Sequence, residues 1–182
     1  MAAAGSNYTG ALFLPSRSIL CLVNLSLQPA RPRTQDVTLS LLNRAKSNGF
    51  TALVVTLDTI TIGWRPHDLE TAYLPFAHGL GTGVGRSDPV FMSRYNRQPI
   101  LDEQDEFPYD PVAKDKLYFA GDKTTKDAVF LGTEWLKECN SGIYRSWEDL
   151  KFLRDNWDGP LVLKGIQSVL VCVVVFSPRM NF

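Results

Sequence analysis

The sequence predicts an α/β fold with parallel strands, and three observations support that prediction. Two apolar runs rich in Val and Leu, at residues 51–57 and 160–164, have the near-continuous hydrophobicity of strands buried in a parallel sheet. Each run follows a helical pattern that ends at a glycine, Gly49 in the first case and Gly159 in the second. Helix, glycine and strand in that order form the repeating step of an α/β protein. Each run also ends in polar residues, where enzymes of this class place their chemistry.

The composition is that of an ordinary globular domain. The 182 residues are 45% hydrophobic and 21% charged, which is enough for one domain with a sizeable core. Nineteen basic and nineteen acidic residues cancel, so we expect neither a nucleic acid nor a membrane surface as partner. The three cysteines are far apart and lack CxxC spacing, which predicts no metal centre and a cytoplasmic or other reducing intracellular compartment.

Two apolar stretches have some features of targeting or membrane segments. Residues 18–27 leave open a signal-peptide core, although Asn24 interrupts them and only Arg17 precedes them closely. Residues 169–176 form the second stretch. Both are far below the roughly 20 apolar residues that a membrane-spanning helix requires. The sequence therefore predicts no membrane-spanning segment.

The first helix is predicted between a capping residue, Asp36, and a terminating glycine, Gly49. Basic residues in its last turn, Arg44 and Lys46, favour the negative end of the helix dipole. Its apolar face consists of Val37, Leu41, Leu42 and Ala45. The strand at 51–57 follows immediately.

Two further helices are predicted later in the chain. Residues 125–137 have a helical pattern, with Val129, Trp135 and Leu136 as candidate buried residues. Ser146 followed by Asp149 resembles a capping box that opens a helix at about 147–156. The apolar face of this last helix consists of Trp147, Leu150, Leu153 and Trp157. We expect the two strands to pair side by side in parallel, with this helix packed on one face.

A long insertion, residues 59–124, separates these units and is typical of an active-site lid or binding loop. It contains alternating glycines at positions 79, 81, 83 and 85. A phosphate-binding loop is one interpretation, but the spacing is neither GxGxxG nor GxxxxGK[ST], and the segment follows no strand. We therefore interpret the glycine-rich segment as part of a flexible loop.

Three polar residues near the strand ends are candidates for chemistry. Asp58 could cap a turn or orient a catalytic group. Arg65 could bind a substrate carboxylate in a bidentate fork or lie solvated in its loop. Lys164 ends an apolar strand, where an ammonium without an anionic partner is very costly. Since parallel strands end at one rim, Thr56, Asp58 and Lys164 are predicted to lie within about 10–12 Å of each other.

Sequence blocks between residues 34 and 168 carry a family resemblance. They include Gly63-Trp-Arg-Pro-His-Asp-Leu69, Ser87-Asp-Pro-Val-Phe91 and Pro160-Leu-Val-Leu-Lys-Gly-Ile166. With these blocks the chain resembles the FMN-dependent 2-hydroxy-acid oxidoreductases, most closely the lactate 2-monooxygenase branch. The resemblance implies an incomplete (β/α)8 TIM barrel, in which the two strands are the fourth and fifth and carry flanking helices and the long inserted loop.

The resemblance also implies roles for individual residues. Thr56 matches the position that hydrogen-bonds the flavin, and Lys164 matches the lysine beside flavin N1 and O2, where its charge stabilises the reduced ring. Asp58 matches the acid that pairs with the catalytic histidine, and Arg65 matches a loop arginine near the substrate. The implied cofactor is FMN, the implied substrate is a small 2-hydroxy acid such as lactate, and intact members of the family are homo-oligomeric.

The sequence departs from the family pattern at positions that matter for activity. The family's catalytic histidine lies in a Ser-Asn-His-Gly-Gly-Arg segment that this sequence lacks, and neither His67 nor His78 matches it. We expect residues 1–33 to be a non-matching and poorly ordered segment, residues 34–168 to be a fragment of the FMN-dependent domain, and residues 169–182 to be a non-matching tail. Loss of resemblance at both ends suggests a splicing event or a mispredicted gene.

Two functions stay open at this point. The first is oxidation of a lactate-like 2-hydroxy acid by family descent, with this chain a truncated form that is inactive alone. The second is a non-catalytic fragment or interaction module that binds no flavin. Flavin absorbance in the purified protein distinguishes them.

Overall fold

The described part of the chain combines a small sheet with several helices. A computed structural model of the protein describes residues 18–21, 32–58, 63–70, 74–102 and 108–168. Its strands are β1 (Ser18–Cys21), β2 (Phe50–Thr56) and β3 (Leu161–Lys164). Its helices are α1 (Gln35–Ser47), α2 (Pro66–Glu70), α3 (Gly83–Arg86), α4 (Pro89–Ser93), α5 (Pro111–Ala120), α6 (Lys123–Cys139) and α7 (Glu148–Asp155), with a 3-10 turn at Pro75–His78. The sheet with α1 and α7 forms one compact unit, and Gly63–Glu138 forms another.

The sheet is parallel and has the order β1-β2-β3. The predicted parallel pairing of the two apolar runs is confirmed, with Leu53 opposite Leu161 and Thr56 opposite Lys164. β1 pairs in parallel with the other edge of β2, from Ser18 opposite Phe50 onward. The sequence-based count of two strands was therefore too low.

Helices α1 and α7 cover one face of the sheet. Alternate residues of β2, Leu53 and Val55, point into this core because successive side chains of a strand point to opposite faces. The buried cluster is completed by residues from the two helices and the turn after α7, namely Leu42, Ala45, Leu150, Leu153 and Trp157. The predicted packing of the last helix through Trp147, Leu150 and Leu153 is confirmed, with Trp147 half-buried at the edge.

The predicted first helix is confirmed, but its capping residue is different. Thr34 occupies the N-cap position of α1, and Asp36 lies in the first turn, where its Oδ1 accepts a hydrogen bond from Val37 N at 2.8 Å. A carboxylate there still favours the helix because the N-terminal end of the helix dipole is positive. Gly49 ends the helical segment with φ of 78°, the left-handed conformation that glycine adopts without steric penalty.

Helix α7 has Trp147 at its N-cap position without a side-chain cap, so only one half of the predicted capping box is present. Ser146 N donates to Asp149 Oδ2 at 2.9 Å, so the carboxylate reaches back to a backbone amide that has no partner within the helix. The short connection after the helix carries Asp158, whose Oδ2 lies 2.8 Å from Lys46 Nζ at the end of α1. This ion pair lowers the pKa of Asp158, chiefly through the hydrogen bond from Lys46.

Helix α6 is the centre of the second unit. The predicted helix at 125–137 is confirmed and is longer at both ends. Trp135 is buried on it, and the ring of Phe91 from α4 meets Trp135 edge-on at 5.1 Å. Polar contacts on the same helix include Arg94 Nη1 to Glu138 Oε2 at 3.0 Å and a two-bond pair between Arg97 and Asp127. Helix α4 and the residues after it are therefore held along α6 by an edge-on aromatic contact and by ion pairs.

The prediction of a long inserted loop with a flexible glycine-rich part was wrong. Residues 79–86 form the end of the 3-10 turn and the short helix α3. A Cβ added at Gly85 would lie 2.2 Å from the Trp135 ring, and one added at Gly79 would lie 2.5 Å from the Ala128 backbone. These glycines therefore allow close packing on α6. The sequence pattern could not distinguish this use of glycine from conformational freedom.

We predict that Asp88 contributes strongly to the stability of the second unit. Its buried Oδ1 accepts hydrogen bonds from Val90 N and Phe91 N and thereby caps α4. Asp88→Ala should cost about 1–2 kcal/mol and lower the melting midpoint by about 2–8 °C. Asp110→Ala is the matched control, because Asp110 caps α5 through the same two bonds but this helix has no buried residues. Equal effects of the two substitutions in thermal unfolding would contradict the prediction.

We further predict that Glu134 and Tyr95, which share a hydrogen bond of 3.2 Å, make stability depend on pH at both extremes. Hydrogen bonds from Lys137 and then Tyr95 lower the pKa of Glu134, while burial and then Glu134 raise the pKa of Tyr95. A lowered carboxyl pKa gives stability that is lost as pH falls through it, and a raised phenol pKa gives stability that is lost as pH rises above about 10.

Thermal unfolding between about pH 3 and pH 10.5 measures both effects. Glu134→Gln should reduce the acid-side fall of the midpoint by up to about 4 °C, and Tyr95→Phe should reduce the alkaline-side fall by a similar amount. Unchanged pH profiles in both variants would disprove the coupling.

Candidate functional site

The site is built on the carboxyl ends of β2 and β3. The register places Thr56 opposite Lys164, and Leu57 N donates to Lys164 O at 2.9 Å, so the pairing continues to the last residue of each strand. Since the helices cover the face that carries Leu53 and Val55, alternation puts Thr56 and Lys164 on the opposite face. On that face Val162, which precedes Lys164 by one alternation, is 47% exposed.

Asp58 and Lys164 are brought together at this edge. Lys164 Nζ lies 3.8 Å from Asp58 Oδ1, and their side chains are 49% and 33% exposed. The distance is that of an ion pair and is too long for a hydrogen bond. The predicted closeness of these two residues is confirmed, and Asp58 is the anionic partner that an ammonium at this position requires.

Thr56 differs from its neighbours because its polar atom is buried. The residue is 6% exposed, and its Oγ1 has no hydrogen-bond partner among the described residues. Leaving a buried hydroxyl unpaired costs about 1–3 kcal/mol, so such groups in folded proteins usually have a partner or a functional reason. A hydroxyl in this state is ready to donate to an acceptor atom of a bound molecule.

Arg65 belongs to the other compact unit. It stands just before α2, and its Nη1 lies 3.6 Å from Asp68 Oδ2, with side chains 45% and 37% exposed. The same turn is closed by a hydrogen bond from Leu69 N to Arg65 O. Arg65 is thus a half-exposed arginine with a carboxylate neighbour in its own unit.

The structure reveals a histidine contact that sequence analysis did not find. His78 Nε2 lies 3.1 Å from Asp115 Oδ1, and the imidazole ring is tilted against Tyr109 at 5.6 Å. His78 and Asp115 are far apart in sequence and belong to no recognised motif, so only the fold joins them. Among the described residues, no group of three or more His, Cys, Asp and Glu side chains is arranged to hold a metal ion.

Gly165 lies at the strand-end site and was not singled out by sequence analysis. Its φ is 91°, and a Cβ added there would lie 2.4 Å from Cγ of Asp58. The available signal was a glycine directly after the strand-ending lysine. None of the described helices is both long and apolar enough to cross a membrane.

Comparison with known proteins gives one consistent family. The model of a family described as FMN-dependent dehydrogenase matches residues 23–172, a wider span than residues 34–168. An FMN-dependent alpha-hydroxy acid dehydrogenase of Penicillium citrinum is 41% identical over 133 residues, which cover 73% of this chain and 27% of that protein. A protein of the same description from Schizosaccharomyces pombe is 44% identical over 137 residues, covering 74% and 28% respectively. An L-lactate oxidase of Lysinibacillus sphaericus is 39% identical over 59 residues, covering 32% and 15%.

The family match includes both strand ends of the site and the residues between them. The chain spans about a quarter of the length of the two curated alpha-hydroxy acid dehydrogenases that it matches. This match confirms the resemblance inferred from the sequence blocks, and the parallel α/β sheet with polar residues at its strand ends agrees with it. The chain belongs to the family of FMN-dependent dehydrogenases.

Proposed function

We propose that this chain contributes part of the flavin site of an enzyme that oxidises a small, lactate-like 2-hydroxy acid with FMN. The observation that carries the proposal is the buried hydroxyl of Thr56, which has no partner in the described chain and stands opposite a lysine at the strand ends. The names of the relatives, alpha-hydroxy acid dehydrogenase and L-lactate oxidase, support the substrate class.

The fold that we propose around this site is a (β/α)8 barrel, of which β2 and β3 are the fourth and fifth strands. Helices on one face and polar residues at the carboxyl ends of the strands on the other are the arrangement of such barrels. β1 extends the sheet on the far side of β2 in the same parallel sense, which a barrel also requires.

Thr56 and Lys164 are the residues that we propose to hold the cofactor. Thr56 Oγ1, which has no hydrogen-bond partner among the described residues, would donate a hydrogen bond to a polar atom of the flavin ring. Lys164 would supply a positive charge and N–H donors to the same ring, and its 49% exposed side chain is free to turn toward a ligand. FMN supplies the electron acceptor for the oxidation when it is bound.

Asp58 and Arg65 are the residues that we propose to act on the substrate side. Asp58 would orient a histidine base by accepting a hydrogen bond from its ring, the role that carboxylates commonly take beside catalytic imidazoles. Arg65 would bind the carboxylate of the 2-hydroxy acid through its planar guanidinium. Neither histidine of this sequence, His67 or His78, matches the base of the family pattern, so the histidine that Asp58 would orient is not one of these two.

An interaction module is the second candidate, and α5 is the observation that favours it. This helix has no buried residues, yet Val112 is 59% exposed and Phe119 is 82% exposed. Exposed apolar side chains on one short helix are typical of a surface that meets another protein. Purified protein without flavin absorbance but with a concentration-dependent assembly would favour this candidate.

We predict that Thr56→Val separates a ligand-binding role from a structural one. Valine has nearly the same shape but no hydroxyl, so it removes the unpaired buried Oγ1 and should leave the melting midpoint unchanged or slightly raised. If the hydroxyl donates to FMN, the same substitution should weaken FMN binding about two- to tenfold, measured by titration with flavin fluorescence.

Thr51→Val provides the control, because Thr51 is an exposed residue at the start of the same strand. It should change neither the midpoint nor FMN affinity by a measurable amount. A marked loss of stability in Thr56→Val with unchanged FMN affinity would mean that the hydroxyl serves the fold and not the cofactor.

We also predict that the chain alone does not oxidise lactate. Abstraction of a proton from a 2-hydroxy acid requires a base within hydrogen-bond reach, and loss of such a base typically reduces the rate by a factor of roughly 10²–10⁴. The purified chain, reconstituted with excess FMN under anaerobic conditions, should therefore show no bleaching of the flavin absorbance when lactate is added.

Lys164→Ala is the informative comparison for this experiment. Bleaching in the natural chain that disappears in Lys164→Ala would show that the chain is an enzyme by itself. Bleaching that is equal in both proteins would instead point to reduction of free FMN in solution and would leave the prediction intact.

A further inference from the structure

The residue after β3, Gly165, meets two independent constraints. Its φ of 91° lies in the region that side chains rarely adopt, and the space where a Cβ would stand is already filled. An added Cβ would lie 2.4 Å from Cγ, 2.5 Å from Oδ1 and 2.8 Å from Cβ of Asp58. All three atoms belong to one side chain, so the space next to Gly165 is occupied by Asp58.

Other glycines in the same unit show that the left-handed conformation alone does not create such crowding. Gly49 and Gly142 have φ of 78° and 65°, and a Cβ added at either would meet nothing within 4 Å. At those positions glycine serves the turn only. At Gly165 it serves the turn and also leaves room for a carboxylate.

The backbone around Gly165 fixes this arrangement. Leu57 N donates to Lys164 O at 2.9 Å, which joins the two strand ends directly before Asp58 and directly before Gly165. Asp58 and Gly165 therefore leave paired strands at the same level and face each other. The carboxylate in that position lies 3.8 Å from Lys164 Nζ.

We propose that Gly165 is a positioning residue for Asp58: by lacking a side chain it admits the carboxylate beside the strand-ending lysine, and so it sets the Asp58–Lys164 ion pair. A methyl group at this position forces the carboxylate away and releases the ammonium of Lys164. Its importance for catalysis rests on the proposed function of Asp58 and Lys164, whereas the geometric part does not depend on any bound flavin.

A double-mutant cycle in the full chain tests the geometry. Gly49→Ala should lower the melting midpoint by about 2–8 °C, which is the effect of alanine in a left-handed conformation alone. Gly165→Ala should lower it further. Asp58→Gly removes all three crowding atoms, so in the Asp58→Gly background Gly165→Ala should cost no more than Gly49→Ala does.

The cycle remains decisive if Gly165→Ala fails to fold. Folding of the Asp58→Gly, Gly165→Ala double variant would then show that the carboxylate was the obstacle. The proposal would be overturned if Gly165→Ala lowered the melting midpoint by the same amount in the Asp58→Gly background as in the natural chain.

The reactivity of Lys164 gives a readout that a merely structural glycine would not change. Acetylation by an N-hydroxysuccinimide ester requires Lys164 Nζ to be accessible to the reagent, and the Asp58 carboxylate lies 3.8 Å from it. Asp58→Asn should raise the acetylation rate of Lys164 about two- to fivefold, measured by peptide mass spectrometry against Lys151, which has its own partner Asp155 on α7.

Gly165→Ala should raise the rate to the same level as Asp58→Asn, and Gly49→Ala should leave it unchanged. A normal rate in Gly165→Ala beside a raised rate in Asp58→Asn would overturn the proposal, and so would an unchanged rate in both. The acetylation experiment is done without flavin. If it gives the expected rates while Thr56→Val leaves FMN affinity unchanged, the proposed flavin site is refuted and the role of Gly165 stands.

Discussion

The parallel pairing of β2 with β3 is the constraint on which the site depends. Its register sets Thr56 opposite Lys164, and one further backbone bond, from Leu57 N to Lys164 O, carries the pairing to the strand ends. A shift by one residue would turn every side chain of a strand to the other face. Lys164 would then point toward α1 and α7, and Leu163 would point away from them. Thr56 and Lys164 would no longer share one face of the sheet.

The hydrophobic core holds this register. Leu53 and Val55 pack against α1 and α7 on one face, so a shifted strand would expose them and bury polar neighbours. Burial of one such side chain contributes roughly 1.5–3 kcal/mol, whereas the exposed Asp58–Lys164 ion pair contributes less than about 1 kcal/mol. The positions of the polar residues are therefore a consequence of packing on the opposite face, and the ion pair follows from them.

The sequence predicted those elements whose signals are local. Apolar runs identified β2 and β3, and apolar periodicity with a capping carboxylate identified α7 through Ser146 and Asp149. β1 was missed because it has only four residues and merges with an apolar stretch that reads equally well as a signal segment. Two contacts join distant parts of the chain, the packing of Gly85 on Trp135 and the contact of His78 with Asp115. No local sequence pattern predicts them.

The same distinction applies within the site. Thr56, Asp58 and Lys164 could be predicted because strand ends meet at one rim, a rule that needs only the strand assignments. The burial of Thr56 Oγ1 and the space left by Gly165 depend on side-chain positions, which the sequence does not specify. Arg65 was predicted by resemblance to a loop arginine, and the fold shows it beside Asp68 in a separate compact unit.

The weakness of the Asp58–Lys164 contact has a consequence for binding. At 3.8 Å and with both side chains partly exposed, the two charges attract each other without a hydrogen bond, so little free energy opposes their separation. A short and fully buried pair would hold the ammonium and make its transfer to another acceptor costly. The contact observed here keeps Lys164 near the strand ends and leaves its N–H groups available to an acceptor other than Asp58.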